Sequence, residues 1–513
     1  MNTRRQNWLE KAEALKPRLL RRDVEPSRLV RPERDGEAFQ GWRMVKADAP
    51  TELGRDFDLV YDFGEHLVGQ LSFKVEALGV VDCPCRVKVQ FGEVPAEVAE
   101  SFDPYTGGLG RGWLQDEVVV RDELPCEVSL PRRYSFRYVR LTGERNGGSY
   151  KTRITGLRCA AVTSADASAV DPLPPSVPEL SRRIDAISLD TLRDCMQGVF
   201  EDGPKRDRRL WLGDFRLQAL VNYRSFKNYA LAKRCLYLFA ALAAEDGRVP
   251  SDLYDKPSPH AGRCDIFDYV AIYPSTLLEY AQASGDWDCA AELWPVARRQ
   301  AEIVAAEIGP DGLFMNQRPW WCFIDWNEKL NDAKLTPEQG VAIFGLKRTL
   351  ELGRALGKDA EVACFEPLVE QMSQAALANC FDAKRGVFVS GADRQVSWAS
   401  QAWMTIAGVV SGEAAKLALL TAMADQEAVR PAGPYLNHYV VEALFLAGLP
   451  AEAEALLESY WGEMARLGAD CFWEVFDPED QFRSPYGSHL VNSYCHAWSC
   501  TPSYFLRGGV RRR

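Results

Sequence analysis

Hydrophobic and polar positions change their period once along this chain, near residue 170. From about residue 29 to 168, short runs rich in Val, Phe, Tyr and Leu alternate in part with polar positions: DLVYDFG, GQLSFKVEAL, CRVKVQFGE, DEVVVRDEL and RYVRLTGE. Runs of this length, broken by Gly, Pro and Asp, predict strands of a β-sandwich. Residues 1–28 read as a charged arm or short helix. The segment DASAVDPLPPSVPEL is proline-rich and marks the change of composition as a connector. Beyond it the period is helical. Helices are predicted at 180–197, 214–225, 227–244, 265–283, 286–308, 336–356, 358–380, 395–410, 412–424, 434–447, 450–466 and 488–505.

Several of these runs are joined tightly, as in LFLAGLPAEAEAL and VVSGEAA, which read as helical hairpins. Other connections are long and aromatic: 199–213, 309–335 and 470–487. Twelve helices with alternating short and long links predict an inner and an outer ring of six, an (α/α)6 six-hairpin toroid with the long links on one face. An α-solenoid is the alternative, but no repeat period supports it. The expected organisation is mainly α: an arm at 1–28, a β-sandwich at 29–168 and a helical barrel at 169–508.

Composition narrows the classes of function. Apolar residues make up 47% of the 513 and charged residues 26%, which suits a folded domain and excludes disorder as the main state. No run approaches the ~20 apolar residues of a membrane span. The net charge of −11 gives no footprint for nucleic acid. The N-terminus is charged throughout, with no apolar core of a secretory signal. Fourteen cysteines diluted over this length read as reduced thiols of a cytoplasmic protein. Cys195, Cys235, Cys364 and Cys380 fall in apolar helical runs and are expected to be small buried hydrophobes. Cys83 and Cys85 form a lone C-x-C. The five histidines form no metal-ligating motif, so spacing does not support a metal-based mechanism.

The candidate chemistry lies in the long connections. Eleven of fourteen tryptophans follow residue 200, and Trp211, Trp320, Trp321, Trp326 and Trp473 fall in the three long loops. Indoles beside carboxylates at one mouth suit a sugar, because the ring covers an apolar sugar face while the acids take hydroxyl protons. The first loop, GVFEDGPKRDRRLWLGDF, sets Asp202, Asp207 and Asp214 among Arg206, Arg208, Arg209 and Trp211. Asp214 also fits an ordinary helix cap. The second loop, GLFMNQRPWWCFIDWNEKLND, carries Trp321, Asp325, Trp326 and Glu328. The third places Glu474 after Trp473 and is followed by His489 and His496, seven apart on the last helical run and so on nearly one face. A carboxyl desolvated among indoles rises in pKa and can donate a proton. With one ionised partner it is the minimum for glycoside hydrolysis.

In these residues the chain resembles the bacterial α-L-rhamnosidases of glycoside hydrolase family 78. That family carries D-C-P-x-R-E-x-x-x-W-x-G-D between its first two barrel helices. The matching stretch runs from Asp202-Gly203-Pro204-Lys205-Arg206-Asp207 to Trp211-Leu212-Gly213-Asp214. Phe323-Ile324-Asp325-Trp326 resembles the family's tryptophan loop, and Trp473-Glu474 its late W-E. The resemblance spans about residues 55–506. It implies that Asp207 stands where the family has its general acid, a glutamate, and Glu474 where it has its base. It further implies that Asp202 and Asp214 hold sugar hydroxyls, with Arg206, Trp211, Trp321, Asp325, Trp326, Trp473, His489 and His496 as further substrate-binding candidates.

Two departures stand out. Asp207 is one methylene short, withdrawing the proton by about 1.5 Å, and Arg206 and Arg208 flank it, a neighbourhood that favours the ionised form. The usual enzymes also carry extra β domains around the barrel, whereas this chain ends at its last helix, which is expected to open the cleft rim.

The reading is an inverting glycoside hydrolase that releases terminal α-L-rhamnose from small rhamnosides or oligosaccharides, with no cofactor and the oligomeric state left open. Its rivals are a hydrolase, phosphorylase or lyase acting on another sugar in the same fold, with Tyr494 and His496 as lyase residues, and an inactive sugar-binding protein. If Asp207 is not the acid, Asp325 and Glu328 are the next candidates.

Overall fold

The computed structural model describes residues 3–48, 50–80, 83–146, 151–318, 320–330 and 333–510. The strand Asp58–Ala77 organises the N-terminal domain. It runs for 20 residues, and its register against Tyr134–Gly143 shifts between Asp62 and Leu67. Before the shift it also pairs with Arg28–Arg34, and after it with Cys126–Ser129 and Thr152–Thr163. One irregular strand thus pairs with four others. The expected sandwich is a single nine-stranded sheet around a core that includes Phe63, Leu71, Phe73, Val89, Phe91 and Phe136. Gly69 lets two strands approach, since a Cβ there would lie 2.4 Å from the Ala160 carbonyl oxygen.

The N-terminal segment is tied down at two points. Its helix Thr3–Ala14 packs on Tyr229–Ala241, and Trp8 Nε1 donates to Glu292 at 2.9 Å. Leu20–Val24 then joins the sheet beside Thr152–Thr163.

The remaining helices form a closed double ring. The inner members are Leu212–Arg224, Phe267–Ser284, Leu335–Ala355, Trp398–Ile406 and Pro434–Leu446, followed by the segment 497–506. Each packs on the next, and the last packs back on the first. The outer members are Glu179–Cys195, Tyr229–Ala241, Trp287–Ala306, Phe365–Asn379, Gly412–Ala424 and Pro450–Arg466. Burial separates the rings. In Leu212–Arg224 every residue but the last is buried, whereas Phe365–Asn379 buries one stripe: Phe365, Val369, Met372, Ala375 and Ala376. Hairpins turn where glycine and a cap coincide. Gly285 takes φ +75° and closes one helix on Ala281, and the Asp286 side chain accepts from Cys289 N–H to open the next.

Three expectations are corrected. The run 488–505 is not one helix. It holds two 3-10 turns, His489–Val491 and Ala497–Cys500, and a short helix Pro502–Leu506, because the chain between them is extended and pairs with residues 472–474. Cys364, expected in a buried run, is exposed at the start of Phe365–Asn379. Cys380 is only half-buried. Among the described residues no helix is long and apolar enough to cross a membrane.

Candidate active site

The first long loop is pinned from both sides. Lys205 is buried and bonds Glu97 of the sheet domain as well as the carbonyls of Leu490 and Asn492, at 3.0 and 2.6 Å. Asp202 N–H donates to the Arg209 carbonyl, and its Oδ1 accepts from Arg209 N–H, each at 3.0 Å. Between these anchors Asp207 and Arg208 both take left-handed backbone angles, φ +63° and +54°. Two successive non-glycine residues there store strain of order 1–3 kcal/mol each, which the pinned flanks sustain. Gly213 follows because a Cβ would lie 2.3 Å from the Tyr269 ring.

Glu474 sits on an extended segment. Its N–H donates to the Ser493 carbonyl at 2.9 Å, and His496 N–H donates to the Phe472 carbonyl at 2.9 Å. Trp498 Nε1 donates to the Glu474 carbonyl at 3.0 Å. The second loop is held by Asp268, which accepts from the N–H groups of Phe323 and Ile324 at 2.9 and 3.2 Å.

These loops meet at one cavity lined by Asp202, Arg206, Asp207, Trp211, Asp214, Trp321, Trp326, Glu474 and His496. All nine are sequence candidates. The other three are placed elsewhere. Trp473 is buried and stacks on Phe39 at 3.9 Å between centroids, because neighbours on an extended chain point to opposite sides and Glu474 takes the cavity side. Asp325 is buried away from the cavity and accepts from Ala432 N–H at 2.5 Å, tying two loops together. His489 lines an outer groove with Trp326 and Glu328 and bonds Glu100 at 3.1 Å. Since no helix carries both histidines, the seven-residue spacing does not put them on one face.

The walls also include Ile266, Tyr269, Phe323, Tyr486 and Trp498, which the sequence reading did not single out. Tyr486 lay within the aromatic third loop, in a Pro-Tyr-Gly turn, and that was its only signal. Tyr269 had none beyond its place early in a buried helix.

Electrostatics distinguish the acids. Burial alone would raise the Glu474 carboxyl, but Arg206 and His496 beside it, with a hydrogen bond from Tyr486 at 2.5 Å, hold it down at about 2. Arg206 bonds Glu474 directly and donates from Nε to the Val491 carbonyl at 3.1 Å. Arg208 instead donates to the carbonyls of Pro204 and Arg133, at 2.8 and 3.1 Å. Asp207 has the nearest cations at 3.7 Å (Arg206) and 3.9 Å (Arg209), beyond hydrogen-bond reach. Asp202 is pushed well above the ordinary carboxyl range by burial and by the charges of Asp207 and Asp214. Asp214 is raised by burial, against a 3.2 Å contact with His496 Nε2.

Two buried donors of the lining have no hydrogen-bond partner among the described residues, Trp326 Nε1 and His496 Nδ1, the latter a donor in one tautomer. Buried polar atoms without partners are rare in folded proteins and ask for a ligand or water.

Comparison with known proteins finds relatives of both domains. Residues 26–161 match the glycosyl hydrolase family 78 alpha-rhamnosidase N-terminal domain, and residues 176–510 the bacterial alpha-L-rhamnosidase six-hairpin glycosidase domain. A solved rhamnosidase from Klebsiella oxytoca with rhamnose bound is 41% identical, with a TM-score of 0.94 over 98% of this chain and 99% of that one. The fold is also that of a family 78 rhamnosidase from Bacillus sp. GL1, at 23% identity and TM-score 0.75 over 89% of this chain and 46% of that one. The Streptomyces avermitilis alpha-L-rhamnosidase complexed with L-rhamnose matches at 16% identity and TM-score 0.67, over 96% and 44%. No curated protein matches. Family domains that together span the sheet and the barrel, and a relative this similar over its whole length, establish that the chain belongs to the bacterial α-L-rhamnosidases of glycoside hydrolase family 78.

Proposed function

We propose that this α-L-rhamnosidase works by inversion, with Asp207 as general acid and Glu474 as general base on either side of the rhamnose. The observation that carries the assignment is the division of labour around Arg206. The guanidinium bonds Glu474 and leaves Asp207 outside hydrogen-bond reach. Its neighbours thus favour the ionised form of Glu474 that a base needs, while the nearest guanidiniums stand 3.7 and 3.9 Å from Asp207 and make no bidentate pair with it. An acceptor of such low basicity takes the proton of the attacking water late, once the departing bond has left positive charge on the sugar ring. Asp207 gives its proton to the glycosidic oxygen.

Asp202, Asp214, Trp326 and His496 hold the sugar, whose hydroxyls complete the unpartnered donors of Trp326 and His496. Trp211 and Trp321 cover its apolar edges. The outer groove beside Trp326, about 460 Å³ and lined by Glu328, Phe482, Arg483 and His489, takes the leaving group. Small imported rhamnosides met in the cytosol fit such a groove, without nucleic acid or membrane as partner.

A second reading rests on Asp202. This carboxyl is raised well above its ordinary range and lines the same cavity, so it is the competing proton donor. Turnover of aryl and alkyl rhamnosides by Asp207→Asn and Asp202→Asn decides between them: the acid is the residue whose loss weighs far more on the alkyl substrate.

A further inference from the structure

Beside the segments that carry Glu474 and His496, four buried side chains able to ligate a metal converge. His66 comes from the irregular stretch of strand Asp58–Ala77, and Asp194 from the C-terminal end of helix Glu179–Cys195. Cys471 and Cys495 lie on the two segments that pair beside Glu474. One ligand atom from each lies within 4.8 Å of all the others, and all four residues are buried. We propose that this cluster is a structural zinc site that locks the sheet domain and the first outer helix to the strand bearing the base.

The donor set favours zinc. Two thiolates, an imidazole nitrogen and a carboxylate oxygen are four ligands of the kind zinc takes in closed tetrahedral sites, whereas calcium and magnesium require oxygen donors. The outer partners are those of a ligated histidine. His66 Nε2 faces Glu93 Oε1 at 3.2 Å and Ser135 Oγ at 3.0 Å, which leaves Nδ1 for the metal. A second carboxylate bonded to the far nitrogen orients the ring and raises its basicity. Asp194 is held in turn by Arg193, which donates from Nε to Oδ1 at 2.8 Å and from Nη2 to the ligand oxygen Oδ2 at 3.3 Å.

The fit needs only small movements. With Zn–S near 2.3 Å and Zn–N or Zn–O near 2.0–2.1 Å, neighbouring ligands stand roughly 3.3–3.8 Å apart. Cys471 Sγ is 4.0 Å from Asp194 Oδ2 and closes by a few tenths of an ångström. His66 Nδ1 and Asp194 Oδ2 are 2.7 Å apart and open by about half an ångström as the metal replaces the proton between them. Each thiol releases its proton to solvent on binding. Cys195, with Sγ 3.9 Å from Cys495 Sγ, flanks the site. The spacing of histidines and cysteines along the chain does not reveal such a site, because each ligand comes from a different segment.

The test is metal analysis of the full chain, prepared without a metal-binding tag and under reducing conditions. About one zinc per chain is expected, falling below about a tenth in Cys471→Ser/Cys495→Ser while Cys364→Ser retains it. Should the double variant fail to fold, cobalt introduced into the chelator-treated wild type gives an independent readout: thiolate-to-cobalt charge-transfer and intense visible bands of a tetrahedral ion. Wild-type protein that holds under about a tenth of an equivalent, both as purified and after incubation with zinc, overturns the proposal. So does a zinc content that the cysteine substitutions leave unchanged, or a disulfide joining Cys495 to Cys471 or Cys195 in chain purified without reductant.

Discussion

Arg206 hydrogen-bonds Glu474 and stands 3.7 Å from Asp207, so one buried guanidinium separates the two carboxyls of the proposed mechanism. The acid is short by one methylene relative to the family pattern, and its backbone takes a left-handed turn at φ +63°. With that turn, Asp207 lines the cavity.

The roles predict unequal losses. Glu474→Gln should abolish turnover of every rhamnoside, because water needs its proton acceptor whatever leaves. Asp207→Asn should lose roughly 10²–10⁴-fold on alkyl rhamnosides and far less on nitrophenyl ones, whose phenolate departs without help. Steady-state kcat on the two substrate types measures this. Equal losses in the Asp207 variant would reduce that residue to sugar binding.

Under the proposed roles, Arg206 keeps the protonation of Glu474 below the working pH range. It and its neighbours hold Glu474 at about 2 against burial, which pushes the other way. In Arg206→Gln burial is no longer outweighed, the Glu474 pKa rises, and the base protonates at higher pH. The acid limb of kcat/KM should therefore move up in pH, with circular dichroism confirming the fold. A limb that stays where it was would mean that Glu474 is not the base.

How much of this could be seen in the sequence follows from how each residue reaches the site. Asp202, Asp207 and Asp214 lie on one loop framed by Gly203, Pro204 and Gly213, so local turn signals and the family's motif order found them together. The switch from strand to helix period was equally local. Trp473 was misplaced because adjacency to Glu474 suggests shared location, while an extended backbone sends neighbours to opposite faces. His489 was misplaced because one helix was assumed where the chain forms separate 3-10 turns joined by a stretch that pairs in extended form with residues 472–474. Tyr269 and Tyr486 reach the cavity through tertiary packing alone, and no local pattern announces that.

Asp202 links function to stability. Its carboxyl is raised in the folded state by burial and by Asp207 and Asp214. The folded protein therefore holds a proton there that the unfolded chain has released, a contribution present below the unfolded carboxyl value and lost as pH rises. Asp202→Asn removes that loss and keeps the acceptor oxygen for Arg209 N–H. Its melting temperature should exceed the wild type's at pH 7, and the difference should shrink toward pH 4. KM for rhamnosides should rise at the same time, the stability–activity trade expected of a strained site. A lower melting temperature at pH 7 would contradict the argument.

Asp325 provides the contrast, since the tryptophan loop made it a binding candidate and the structure sets it apart from the cavity. Burial pushes its carboxyl up to about 7, with the Ala432 and Trp326 N–H groups only partly opposing. Its stabilising contribution is thus fully present below the ordinary carboxyl value and lost as pH rises through about 7. Asp325→Asn should melt with the wild type near pH 4 and above it at pH 8. The amide oxygen still accepts from Ala432 N–H, so the link between the two loops survives and Trp326 stays in place. KM for a nitrophenyl rhamnoside should then remain within about twofold of wild type, a change of under 0.5 kcal/mol in binding, while Asp202→Asn raises it by more. Thermal melts at the two pH values and one saturation curve per variant measure all of this. A KM that rises as steeply for Asp325→Asn as for Asp202→Asn would return Asp325 to the sugar site and show that the loop closes onto the substrate.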